Sequence, residues 1–323
     1  MASNRSWFDN PWLLLMLILS GLLLIVMYFG HRPIPEGFSQ TERYTMNRGS
    51  NSYDDFYAGI YDLLYKSEER AEYEGKQIVL ATQPDPNYSR FLDIGCGTGC
   101  LVDTIRKMGF QAEGIDKSAA MIEVGKKKRP SCSLREGDAA DSMAFDRGSF
   151  THVLCMNGTV YAFQDKVAFF RNCSHWLQPG GYLILHLVEP GKYDPIVPLG
   201  KTGIGHPSGK NFAGQPADNT NRHTFPSVFS QSRITDSTID FIDFKYKSAY
   251  DFNQMDKGVV VQVETFTDAA SNHVRQNEHT LYMEKEQTML RDAQYCGFLV
   301  TGEFTMERYN SDPFQTVYIL QKM

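Results

Sequence analysis

Six cysteines in 323 residues, at positions 96, 100, 132, 155, 173 and 296, include no C-x-x-C pair. Without that spacing neither a zinc site nor a disulfide framework is expected, and the six read as free thiols in a reducing compartment. No metal is expected. An excess of positive charge is also missing: 32 Lys and Arg stand against 38 Asp and Glu, a net charge of -6. That balance leaves no electrostatic footprint for DNA or RNA, so nucleic-acid partners are disfavoured. No Gly-Lys-Ser/Thr follows the glycine-rich turn at 95–99, which removes a P-loop.

Charge is absent altogether from Pro11 to Gly30. The stretch Trp12–Phe29 makes a helix about 27 Å long at ~1.5 Å per residue, close to the thickness of a bilayer core. Trp7, Trp12, Tyr28 and Phe29 stand at its two ends like an interfacial aromatic belt. The run is longer than the apolar part of a signal peptide and has no clear small-x-small cleavage site, so a single-pass anchor is expected. Arg5 precedes it, whereas Arg32, Arg43 and Arg48 follow, and the positive-inside rule places the following domain in the cytosol. The sequons at Asn157 and Asn172 fall inside the expected fold, where a glycan would disrupt it, which agrees with that orientation.

The most informative stretch is Phe91-Leu-Asp-Ile-Gly-Cys-Gly-Thr-Gly-Cys100, an apolar strand that runs into glycines at 95, 97 and 99. Alternating glycines permit positive φ and close backbone approach to a ligand before the chain enters a helix near Leu101. A dinucleotide fingerprint needs its third glycine five residues after the first, where this chain has Cys100, so a NAD or FAD site fits poorly. A second strand over 111–115 ends in Asp116, about twenty residues past the first glycine, where an acid can accept from both hydroxyls of a ribose. Taken alone, Asp116 is as well read as the N-cap of the following helix, and Asp138 as a turn residue. The recurrence of acids just past consecutive apolar strands is what favours a ligand site, because open α/β sheets place ligands there. The run Lys126–Arg129 reads as a solvated helix end whose cations complement the dipole.

The segment resembles motif I of the class I S-adenosylmethionine (SAM) methyltransferases, with similar features further along. Glu136-Gly-Asp-Ala139 is similar to that family's adenine-binding step, and Pro179-Gly-Gly181 to its turn into the fifth strand. The resemblance implies a Rossmann-like seven-stranded α/β fold with SAM as cofactor. It implies Asp93, Gly95, Cys96, Gly97, Gly99, Asp116, Lys117, Asp138, Ala139, Met156 and Asn157 as cofactor-binding residues. Tyrosines at 53, 57, 61 and 65 share a helical face. They resemble the Tyr-Asp-rich helix that closes over the methionine end of the cofactor, so Tyr53 and Tyr61 join the set, with core packing an equal reading for Tyr53, Tyr57 and Tyr61. As a pure ligand, Asp116 is expected to be dispensable for folding.

The expected organisation is a tail (1–10), the anchor (11–30), a polar tether (31–50), the SAM-binding core (51–189), a cap (190–283) and a return of the core (284–323). The Pro- and Gly-rich stretch 189–231 reads as a lid. Alternating segments 234–247, 259–267 and 273–283 predict an inserted antiparallel sheet roofing the acceptor. With Arg275–Tyr282, that pattern resembles methyltransferases of nucleotide-linked amino sugars and of glycine, and implies a small-molecule acceptor methylated on N or O. Glu278 and His279 are candidate pocket residues, with a solvent-facing strand pair as the alternative. Candidate bases near strand ends are His279, ranked first, with His186, Tyr161 and Glu189. An inactive SAM-fold scaffold or an activating subunit on a membrane remains the alternative, and assembly with a second copy is left open.

Overall fold

A computed structural model of the chain describes residue 16 and residues 19–22, 42–192, 236–310 and 312–323. The chain divides into two units, Met1–Gly37 and Phe38–Met323. In the first, Met16 and residues 19–22 are helical. The rest of the expected membrane span lies outside the described residues, and no helix among the described residues is long and apolar enough to cross a membrane. The expected lid likewise lies outside them from residue 193 onward.

The second unit is built on two sheets. Apolar runs too short for helices form β2 (Arg90–Ile94), β3 (Gln111–Asp116), β4 (Ser133–Glu136), β5 (Phe150–Cys155) and β6 (Leu177–Val188), and the hairpin β11 (Phe298–Thr305) and β12 (Gln315–Lys322) completes a seven-stranded sheet. Its order is β11-β12-β6-β5-β2-β3-β4, with β2 to β6 parallel and the hairpin antiparallel. The strand order reverses between β2 and β5, and a reversal of this kind opens a crevice at the carboxyl ends of the strands. Core strands are buried on both faces, as all six residues of β5 are, because helices cover both sides.

Those helices are α1 (Asp55–Tyr65), α2 (Ser67–Thr82), α3 (Cys100–Lys107), α4 (Ala119–Lys128), α5 (Lys166–Trp176) and α6 (Glu286–Tyr295). Asp54 caps α1 by accepting from the Tyr57 N–H at 3.2 Å, and Lys66 ends it in the left-handed conformation. Ser118 caps α4, accepting from the Met121 N–H at 3.1 Å. Trp176, Phe169 and Phe170 fill one side of the sheet, while Ile78, Leu101 and Ile105 fill the other.

The second sheet has five strands in the order β1-β10-β9-β8-β7, comprising β1 (Tyr44–Arg48), β7 (Asp236–Asp240), β8 (Phe244–Gln254), β9 (Val259–Asp268) and β10 (Val274–Tyr282). Two expectations are corrected here. The segment 234–247 is two strands, β7 and the start of β8, separated by the bend at 241–243. Residues 44–48 are not tether: they pair in parallel with β10, Tyr44 opposite Val274 through Arg48 opposite Glu278. The cap is therefore completed by residues that lie 230 positions upstream of their partners on β10. α1 packs against it through Tyr57, Ile60 and Leu64, which share a core with Phe244, Tyr246 and Phe266.

The run at 126–129 also differs from its expectation. Lys126 and Lys127 are exposed, but Arg129 is buried and bridges α4 to α1 and the glycine turn. Its guanidinium meets Asp62 at 3.4 Å and the Thr98 carbonyl at 3.2 Å. Lys128 also reaches Asp62, at 2.8 Å. Burial alone would raise the Asp62 carboxyl, but these cations and the Thr98 hydroxyl outweigh it and hold it below the usual value.

Candidate active site

β2 ends at Ile94, and the chain turns at once. The N–H groups of Gly95 and Cys96 both donate to the Ile115 carbonyl, at 2.8 and 3.1 Å, which ties the turn to the neighbouring strand. Gly95, Gly97 and Gly99 have φ of 64°, 54° and 82°. A Cβ on Gly95 would lie 2.5 Å from Thr159 Cγ2, and one on Gly97 would lie 3.3 Å from the Tyr61 ring. Both glycines line a cavity of about 640 Å³. Gly99 does not line it: its missing Cβ makes room for Leu134, 2.8 Å away, so its role is helix packing rather than cofactor contact.

Asp116, the last residue of β3, faces the same cavity. Its Oδ2 accepts from the Gly97 N–H at 2.8 Å and its Oδ1 from the Ser118 N–H at 2.9 Å. Burial pushes the carboxyl above its ordinary value, and the backbone bonds offset this only in part. The helix cap is Ser118, so Asp116 is not the N-cap that its position alone allows. It is not a pure ligand either, because it clamps the glycine turn, and the expectation that folding is indifferent to it is corrected.

Lys117, Asp138 and Ala139 line the cavity past β3 and β4. Lys117 Nζ meets Asp138 Oδ2 at 2.9 Å and is the main cause of that carboxyl's lowered pKa. The carbonyls of Ala139 and Ala140 accept from Asn172 Nδ2 at 3.1 and 3.0 Å. Asn172 itself lines the cavity and was missed in the sequence. The available signal was a buried amide among the apolar residues of α5. Past β5, Asn157 sits at φ 50° and donates from Nδ2 to the Tyr61 hydroxyl at 3.3 Å. Asp93, Cys96 and Met156 line a smaller cavity of about 60 Å³ that shares Tyr61, Gly95 and Asn157 with the larger one.

The cap closes the opposite wall with Gln262, His279 and Leu281, and Tyr53 stands beside them. His279 Nε2 lies 2.8 Å from Oε2 of Glu264, a fully buried carboxylate that the sequence reading missed. Acids are rarely so buried, and only its inward parity on β9 marks it. The Tyr53 ring centroid is 5.1 Å from that of His279. Tyr57 is core: its hydroxyl meets Glu264 Oε1 at 2.9 Å and it does not line the cavity.

The other candidate bases are corrected. His186 is fully buried, accepts from the Gly158 N–H at 3.0 Å and lines neither cavity. Burial drives its pKa well below the ordinary value. Tyr161 lines the cavity, but its hydroxyl exchanges two bonds with the Val188 backbone, accepting at 3.0 Å and donating at 3.3 Å. Burial raises it as well. Both residues hold the strand ends in place. Glu189 lines neither cavity, and Glu278 pairs with Arg48 at 3.3 Å outside them.

A side-chain-free cradle, an anchored acid at the end of β3 and a second acid past β4 fit an adenosine-bearing ligand. Among the described residues no group of three or more His, Cys, Asp or Glu is placed to hold a metal. Residues 91–181 match the family model described as a methyltransferase domain. The ubiquinone biosynthesis O-methyltransferase of Xanthomonas oryzae pv. oryzae is 33% identical over 101 residues, covering 30% of this chain and 42% of that protein. The chain thus spans less than half the length of the curated relatives it matches. In structure, it is similar to the CcbJ methyltransferase from Streptomyces caelestis, with a TM-score of 0.60 and 14% identity over 85% of this chain and 99% of that one. A SAM-bound amino pentose methyltransferase from Micromonospora echinaspora gives 0.53 and 18% over 82% and 97%.

The fold is that of the SAM-dependent methyltransferases. Residues 91–181, which match the methyltransferase-domain model, carry the glycine turn and the two acids that line the larger cavity.

Proposed function

We propose that this chain transfers a methyl group from SAM to a nitrogen or oxygen of a small molecule, and that the run Pro11–Gly30 tethers the transferring domain to the cytosolic side of a membrane. The carrying observation is that Gly95, Gly97, Asp116, Asp138 and Ala139, from three consecutive strand ends, face one cavity. SAM, when bound, supplies an electrophilic methyl group on a sulfonium with a neutral sulfide as leaving group. The protein's part is then placement. Asp116 offers its remaining lone pairs to ribose hydroxyls, while the Ala139 backbone, fixed by Asn172, faces the adenine. Tyr61 closes over the glycine turn. The cap wall, with His279 as the base nearest the cavity, receives the acceptor. At about 640 Å³ the cavity lies in the range of ~300–1,000 Å³ usual for small-molecule sites. The amino pentose methyltransferase and the ubiquinone biosynthesis O-methyltransferases lend support to a small acceptor.

Two features support the cytosolic tether: the uncharged run with one arginine before it and three after, and the placement of both sequon asparagines, which line the cavity. Calorimetry with SAM and with its demethylated product tests the cofactor. Micromolar binding of both is expected, and no heat with either at millimolar concentration would overturn the assignment.

A further inference from the structure

The inward face of the cap sheet is unexpectedly polar. Residues of one strand alternate faces, and the inward set includes Arg275, Asn277 and His279 on β10, Gln262 and Glu264 on β9, and Tyr246 and Ser248 on β8, all buried. Glu264 is the centre of this set and has no exposure at all. Its Oε1 receives the hydroxyls of Tyr246 at 2.7 Å, Tyr57 at 2.9 Å and Tyr65 at 3.3 Å, while Oε2 faces His279 Nε2 at 2.8 Å. A buried acid is tolerated only when its oxygens are satisfied. Tyr246 on β8 and Tyr57 on α1 donate to one oxygen, with Tyr65 bonded to Tyr57 behind it at 2.9 Å, and the other oxygen is left for a single imidazole.

That arrangement fixes the imidazole. Taking Glu264 as the acceptor of this contact assigns the hydrogen of His279 to Nε2. Nδ1 keeps its lone pair and has no hydrogen-bond partner among the described residues, while the ring forms part of the cavity wall. The other groups facing His279 are Tyr53, which precedes α1, and Tyr57, on α1. On the same sheet face Arg275 is tied to Asp54 at 2.8 Å and to Asn277. Across the cavity stand Asp116, Lys117 and Asp138.

We infer that Glu264 is a positioning residue that presents Nδ1 of His279 to the acceptor, and that the acceptor atom is a hydroxyl oxygen. This rests on the methyl-transfer reading above. An amine in its free-base form already has a nucleophilic lone pair, whereas a hydroxyl must shed its proton as it attacks, and an imidazole oriented by a buried carboxylate is suited to take it. In the step, the acceptor O–H proton passes to Nδ1. The oxygen pair forms the new O–C bond to the methyl carbon as the S–C bond breaks, its electrons staying on sulfur. The imidazolium formed is stabilised by Glu264 and afterwards returns its proton to solvent.

The test uses the full chain in detergent, labelled with ¹⁵N-histidine, with the His279 signals assigned by their loss in His279→Gln. The expected wild-type spectrum has hydrogen on Nε2 and a bare Nδ1, and Glu264→Gln shifts or mixes the tautomers because an amide can donate to Nε2. The same proteins are incubated with isotope-labelled methyl-SAM and a host metabolite and membrane extract. The label is expected on oxygen, turnover by Glu264→Gln is expected to fall roughly 10²- to 10⁴-fold, and its affinity for SAM should stay within about twofold. An Nδ1–H tautomer in the wild type, unchanged turnover in Glu264→Gln, or label on nitrogen would each overturn the inference. The wild-type spectrum requires no variant to fold. Absence of both SAM binding and labelled product would instead refute the transferase reading, and the hydroxyl acceptor with it, while the spectrum still decides the Glu264–His279 arrangement.

Discussion

Replacing Asp116 by alanine separates two duties of one carboxylate, the clamp on the glycine turn and the ribose contact proposed for it. In the unliganded protein it would strand the N–H groups of Gly97 and Ser118, whose bonds to Asp116 measure 2.8 and 2.9 Å. A buried donor left unpaired costs about 1 to 3 kcal/mol, and water entering the cavity lowers the toll, so a loss of about 2 to 4 kcal/mol is expected for the pair. For a domain of this size that corresponds to a fall in Tm of about 4 to 8 °C. The second duty appears only with ligand: two ribose hydroxyls would lose a charged acceptor, at about 2 to 3 kcal/mol, which is roughly a 30- to 150-fold weaker Kd for SAM. Thermal denaturation without ligand reads the first quantity and calorimetry reads the second. A full loss of stability with unchanged affinity would reduce Asp116 to a clamp, whereas unchanged values in both would refute the geometry described for the turn.

Gly97→Val should abolish SAM binding, because its Cβ falls 3.3 Å from the Tyr61 ring at a φ of 54° that β-branched residues avoid; normal calorimetric binding by this variant would contradict the cradle. His152 lies under Phe91, with ring centroids 4.2 Å apart, and burial lowers its pKa from 6.5 to about 4. The folded pKa lies below the unfolded one, so its contribution to stability is complete above pH 6.5 and is lost as pH falls toward 4, amounting to about 3 kcal/mol. Denaturant titrations should show that this slope is absent in His152→Phe, and equal slopes would refute the assignment. Removing residues 1–30 should release a domain that stays in the supernatant without detergent and binds SAM. In microsomes the domain should be open to protease, and glycans on Asn157 or Asn172 would reverse the orientation.

The cavity wall built by the ends of β2, β3 and β4 was legible in the sequence because its signals are local. Glycines whose φ must be positive, and acids that end apolar strands, carry their reason within a few residues of themselves, and the strand boundaries from β2 to β6 follow the apolar runs closely. The acceptor side was not legible, because its determinants are pairings between distant segments. Tyr44–Arg48 is polar enough to pass for a tether and becomes a strand only when the edge of β10 is available to it. Glu264 looks like an ordinary charged residue until β8, α1 and β10 surround it. His186 and Tyr161 illustrate the converse error: a titratable group near a strand end is as readily spent on the backbone, here of Gly158 and Val188, as offered to a ligand.

The tyrosines of α1 show most directly why spacing alone could not divide core from site. Residues four apart advance about 400° around a helix, so Tyr57, Tyr61 and Tyr65 drift only about 40° at each step and remain on one face. Their partners decide the outcome. Tyr57 and Tyr65 turn their hydroxyls to Glu264 and to each other, at 2.9 Å for the mutual bond, while Tyr61 between them lies against Gly97 and meets Asn157. One helical face thus serves the cap and the cofactor turn together. Tyr61 therefore supports the glycine cradle from the same helix whose Tyr57 supports Glu264, which is why a four-residue spacing alone assigns neither role.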